Sequence, residues 1–121
     1  MALVNLNAAL AHVAEFFFPK IVASVNDHYV KVVKIKGDDV PWHNHDDSDE
    51  LFYVLKGSLV MEVRGKRPLT LKEDDIFVVK KGVYHRVSAA KECHIMLIEG
   101  KATLHTGKEV SAITRSIREQ L

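Results

Sequence analysis

The chain has 121 residues and a net charge of +1, from 17 Lys and Arg against 16 Asp and Glu. It is 47% hydrophobic and 27% charged, the mix of one soluble globular domain spanning 1–121. The near-neutral balance excludes a global basic field for nucleic acid, no apolar run reaches the ~18 residues of a membrane span, and the single cysteine, Cys93, excludes a disulfide scaffold or a cysteine-rich zinc module. The lone thiol favours a reducing compartment. No Lys or Arg precedes Lys20 to give the basic start of a signal peptide, so a cytoplasmic location is expected. Seven histidines stand out against this background.

Leu3, Leu6, Leu10, Val13 and Phe17 recur at three- and four-residue spacing, which predicts an N-terminal helical segment over 1–18. Its alanines favour helix, and Asn5 or Asn7 can cap it. Pro19 ends the pattern. Such a helix packs on the core or forms a dimer contact.

From Ile21 the texture changes to short apolar runs between turn signals, as in an all-β domain. Ile21–Val25, the turn Asn26-Asp27 and Tyr29–Ile35 read as a hairpin. Strands are expected at Leu51–Leu55, Leu59–Val63, Leu69–Leu71, Ile76–Val79, Val83–Val87 and His94–Ile98, with breaks near Gly37, Gly57, Gly65 and Gly82. The barrel region runs from about 20 to 107, and a tail over 108–121 carries Val110, Ile113, Ile117 and Leu121 at helical spacing. So many short strands must close into a barrel or a sandwich, whose interior can hold one ligand or metal site.

His43 and His45 stand at i and i+2, so on an extended chain both imidazoles point to one side. Glu50 follows after four residues and can meet them from a neighbouring strand. His85, after Gly82, is available as a fourth group. Three neutral nitrogens and one carboxylate suit divalent Fe, Mn, Co, Ni, Cu or Zn, and suit Ca or Mg poorly.

These residues carry a family resemblance. Gly37, His43-x-His45, Glu50 and Gly57 match the first motif of the cupin superfamily without a gap, and Gly82-x-x-His85 matches part of the second. The resemblance covers roughly residues 35 to 100. It implies a double-stranded β-helix, or jelly-roll, cupin barrel with an N-terminal helix and a short C-terminal helix. It also implies one divalent transition metal per chain, held by His43, His45, Glu50 and His85, and a homodimer. The second motif departs from the family at Asp74, Lys80 and Ala89, where Gly, Pro and Asn are usual. None of the three is a ligand. They bear on turn shape and pocket lining.

Four protein ligands leave an open coordination position, the layout of a catalytic rather than a structural site. A site of one carboxylate and a divalent cation attracts an anionic or enolate-forming small molecule. The function expected is a small-molecule metalloenzyme of the oxygenase type, acting on a small organic acid, thiol or enol. A sugar isomerase or epimerase and a non-catalytic metal- or ligand-binding module are the alternatives. Sugar-phosphate chemistry would need Arg64, Lys66 or Lys80 to face inward. Phe52, Met61, Phe77 and Met96, with Ile98, are expected to line the pocket. His94 stands in a strand of undetermined facing, and His12, His28 and His105 read as structural or exposed. Cys93 reads as a small buried hydrophobe.

Overall fold

Burial follows the alternation of the sequence strand by strand. In β4 (Leu59–Val63) Leu59, Met61 and Val63 are buried, and Val60 and Glu62 between them are half-buried. The computed structural model describes residues 2–103, 106–107 and 111–121. Its other strands are β1 (Lys20–Val25), β2 (His28–Gly37), β3 (Glu50–Lys56), β5 (Leu69–Leu71), β6 (Ile76–Val79) and β7 (His85–Gly100). All pairings are antiparallel. One sheet runs β1-β2-β7-β3-β6, and β4 lies between β5 and the start of β7 in the other. Inward residues of both sheets, among them Val33, Val54, Met61 and Val87, share one apolar core, which makes the fold a jelly-roll barrel.

The hairpin expected at Ile21–Ile35 is present, with Asn26 at φ 50° in its turn. Two expected strands prove to be one. The region 88–93 lacks the Gly or Pro that would interrupt it, and β7 continues for 16 residues from His85 to Gly100. Its first residues pair with β4 and the remainder with β2 and β3, so a single strand serves both sheets.

The terminal helices are shorter than the periodicity predicts. The first, α1, covers only Leu6–Ala11, with Asn5 as N-cap accepting from the Ala8 N–H at 2.9 Å. Leu3 is wholly exposed, and the chain after His12 runs irregularly to Phe17, which sits at φ 62°. Leu10 is buried where α1 packs on β2, and Val32 on the outer face of β2 is buried too. By contrast Leu51, Tyr53 and Leu55 stay half-exposed on the outer face of β3. The second helix, α2, is a single turn, Ile117–Gln120, closed by a capping box between Ser116 and Glu119. Val110, the first residue of the predicted tail stripe, lies outside the described residues.

Gly57 is obligatory at its turn. Its φ is 82°, and a Cβ there would meet the Glu92 carbonyl oxygen at 2.8 Å. Asp74, standing where the family motif has Gly, adopts φ 70°. Asp tolerates this left-handed region better than most residues, and its Oδ1 accepts a hydrogen bond from the Tyr53 hydroxyl.

Candidate metal centre

The four residues singled out by the sequence converge at the barrel interior. His43 lies on an irregular segment rather than a strand, but an isolated bridge fixes it to the first residue of β7. The His43 N–H donates to the His85 carbonyl at 3.0 Å, and the His85 N–H donates back at 2.9 Å. The carbonyl of His45 accepts from the Gly82 N–H at 2.7 Å, which ties the histidine segment to the turn before His85. Glu50 opens β3. Asp49 points the opposite way, exposed, and accepts from the Lys81 N–H at 2.9 Å and from Lys80 Nζ at 3.2 Å. Gly107 packs so closely on this segment that a Cβ would fall 2.1 Å from the Asn44 carbonyl oxygen.

One potential ligand atom from each of His43, His45, Glu50 and His85 lies within 4.8 Å of every other, and all four residues are buried. The ring centroids of His43 and His85 are 4.4 Å apart. Nδ1 of His43 is 2.8 Å from the Pro41 carbonyl oxygen, and Nδ1 of His85 is 2.9 Å from that of Val83. A carbonyl only accepts, so both Nδ1 atoms carry the proton and both Nε2 atoms keep a lone pair. Nε2 of His85 then faces Glu50 Oε1 at 3.2 Å, acceptor against acceptor. Such a contact is favourable only with a cation or a further proton between the two. His45 Nε2 lies 3.1 Å from the same oxygen, and His45 Nδ1 is buried with no hydrogen-bond partner among the described residues. Donor type and geometry therefore fit a divalent transition metal.

The electrostatics agree. Burial, reinforced by the neighbouring His85, pushes His43 down to about 4, so its imidazole is neutral at physiological pH. Burial alone would raise Glu50, but the hydrogen bond from His45 and the electrostatic pull of the neighbouring imidazoles outweigh it and hold the carboxyl well below the usual carboxylate range. Burial likewise opposes protonation of His45, and its hydrogen bond to Glu50 overcomes that and raises its pKa. The site thus presents a buried carboxylate beside a neutral His43 imidazole.

Below the ligands lies a cavity of about 40 Å³. Phe52 is among the described residues that line it; Met61, Phe77 and Met96 are not. Met61 is fully buried in the core away from the cavity, and Phe77 lines a surface groove with Lys80. Met96 and Ile98 are half-buried on the face of β7 opposite Ile95 and Leu97, which are the residues that reach the cavity. The cause is the two-residue period: choosing the wrong parity of a strand moves each side chain to the other face. Arg64 and Lys66 line an outer groove beside Trp42, and among the described residues no Lys or Arg lines the cavity. His94 pairs with Glu92 on the outside, His28 with Asp27, and His12 is exposed. His105 lies outside the described residues.

A buried polar group near the site was missed by the sequence reading. Lys31 on β2 and Glu99 on β7 are both 0% exposed, with Nζ 2.8 Å from Oε1, and Nζ donates to Gln120 Oε1 at 2.6 Å. Burial, with the negative charge of Glu50, pushes the Glu99 carboxyl up to about 8 despite Lys31. The signal was present. Lys31 shares inward parity with Val33 and Ile35, and Glu99 with Ile95 and Leu97, so each strand carries one charge on its apolar face.

The barrel and its buried cluster of three histidines and one glutamate, placed to hold a metal ion, define a class of jelly-roll proteins. The Cupin domain family model matches residues 30–99, so the chain belongs to the cupin family. It is 35% identical over 97 residues to the uncharacterized protein YdbB of Bacillus subtilis, covering 80% of this chain and 85% of that protein. A crystal structure of a cupin-2 domain containing protein from Shewanella frigidimarina superposes with a TM-score of 0.76 at 36% identity, covering 80% of this chain and 93% of that one. A weaker similarity, 29% identity over 91 residues, is to a Saccharolobus solfataricus protein named only as a candidate dioxygenase. It covers 73% of this chain, which spans 23% of that protein.

Proposed function

We propose that the protein is a divalent-metal-dependent enzyme of the oxygenase type that acts on a small organic acid, thiol or enol. The observation that carries the reading is a four-residue donor set that opens onto a cavity instead of closing on itself. The similarity to a candidate dioxygenase points the same way. When bound, the metal supplies a Lewis acid for an anionic head group and, as iron, one-electron chemistry.

The chain's own contribution is positioning and exclusion. Pro41 and Val83 carbonyls fix the ring orientations of His43 and His85. Glu50 supplies the one carboxylate and leaves the loaded site with residual positive charge, which favours an anionic substrate head. The apolar walls keep bulk water from the reacting group. A sugar isomerase or epimerase is disfavoured, because beyond His43, Glu50 and His85 no described residue lining the cavity offers a hydroxyl or phosphate a partner.

The test is metal analysis of the purified chain, followed by oxygen-uptake measurements with panels of small carboxylates and thiols. Stoichiometric iron and substrate-dependent uptake are expected. Zinc or manganese with no uptake would favour Lewis-acid chemistry. The metal reading would fail if the protein took up no metal and His43→Ala left its stability unchanged.

A further inference from the structure

The cavity under the metal ligands has a one-sided chemistry. Among the described residues its polar lining is confined to His43, Glu50 and His85; every other described lining side chain is aliphatic, aromatic or proline. Among the described residues no hydroxyl, amide, guanidinium or ammonium group lines it. A polar group on the buried end of a ligand would lose its water and gain no hydrogen bond, which is unfavourable. The volume sets a size as well. A water-sized group takes roughly 10–15 Å³ on this measure. The 40 Å³ present holds about three such groups.

Phe17, Pro19 and Ile113 line the cavity from outside the barrel strands. Phe17 arrives on the segment after α1, and Ile113 on the segment before α2. Phe17 is buried at φ 62°, a conformation unfavourable for a side chain of its size, and its N–H donates to the Lys34 carbonyl at 2.8 Å. Arg115 joins the two segments, lying 5.0 Å from the Phe18 ring centroid and 3.5 Å from Glu15 Oε2. The terminal segments therefore supply part of the cavity wall.

We propose that this cavity selects a short, unbranched aliphatic acid: one anionic head at the metal ligands, a hydrocarbon tail of about three carbons, and no second polar group. Ile113 is the residue that limits tail length. The proposal rests on the metal reading above and narrows its substrate class.

The test uses the full chain loaded with Co(II), whose visible absorption reports its coordination. Butyrate and 3-hydroxypropionate are titrated against this band; they differ by a methyl against a hydroxyl at the tail. Butyrate is expected to shift the band at concentrations at least about tenfold lower. In Ile113→Ala, checked for native folding by circular dichroism, the preference moves from butyrate toward hexanoate. Ile113→Val, a smaller change, moves it in the same direction and serves if the alanine variant does not fold. Equal or tighter binding of 3-hydroxypropionate, or an unchanged chain-length preference in a folded variant, overturns the proposal while leaving the metal site standing. Failure of the chain to give any Co(II) band overturns the metal reading, and this proposal falls with it.

Discussion

His43 and His85 are joined twice through their backbones, each N–H donating to the other's carbonyl, so two distant stretches of chain present their imidazoles as one fixed pair. The side chains can therefore be changed without undoing the junction that places them. His43→Ala is expected to keep the strand content by circular dichroism and to lower metal affinity by at least about 100-fold, more than loss of an outer-shell partner would cost. Isothermal titration with Co(II) or Zn(II) measures it.

The pH dependence of stability in the metal-free chain follows from four buried groups, of which His45, raised by its hydrogen bond to Glu50, loses its contribution as pH rises above 6.5. His43 titrates near 4 when folded and at 6.5 when unfolded, so stability falls as pH drops from 6.5 to about 4. Glu50 is held low, so it adds a further loss below its unfolded value of 4.5. Glu99 has the opposite sign. It keeps a proton up to about 8 that the unfolded chain releases at 4.5, so stability falls as pH rises through that interval. Between 4.5 and 6.5 the His43 and Glu99 slopes oppose one another. Urea midpoints are expected to level off there and to decline on both sides. Glu99→Gln is expected to make the alkaline decline shallower and leave the acid one in place.

Lys31 and Glu99 make a buried pair whose halves are costly when separated. Lys31→Met leaves Glu99 and Gln120 buried without their partner and is expected to destabilise the fold by about 1–3 kcal/mol. Lys31→Met combined with Glu99→Leu should recover much of that loss, because a packed apolar pair can match a buried polar one. A double-mutant cycle from urea melts gives the coupling directly.

Asp74 accepts an unfavourable backbone conformation that its family motif reserves for Gly. Asp74→Gly relieves the strain and gives up the hydrogen bond from Tyr53, so its melting temperature should stay close to that of the parent. Asp74→Val places a β-branched residue at φ 70° and should lower melting by about 4–8 °C per kcal/mol of strain introduced. Differential scanning calorimetry of the two variants separates backbone strain from the lost hydrogen bond.

The donor set was legible because it rests on chemistry and local spacing: His43 and His45 two apart, Glu50 at the start of a strand, His85 after a glycine turn. The hairpin and the buried positions of Leu59, Met61 and Val63 were legible from period and turn residues. Met96 was misplaced because alternation gives two faces and does not say which is inside; only pairing with Tyr53 on β3 decides that Met96 faces out. The helix predicted over 1–18 shrank to Leu6–Ala11 because Phe17 and Pro19 are used as cavity walls, and that demand overrides a helical stripe. Lys31 and Glu99 escaped notice because a lysine between apolar residues reads as solvent-facing until a partner of the same parity is found across the sheet.

The length of β7 has a consequence for how the molecule opens. A strand that begins at His85 in one sheet and ends at Gly100 in the other leaves neither sheet a stable existence without it. Amide protons of β2, β3 and β4 should therefore exchange with deuterium through one shared opening event rather than sheet by sheet. Since β7 also begins with His85, one of the four residues placed to hold a metal ion, a metal bound there would slow that exchange across the entire barrel.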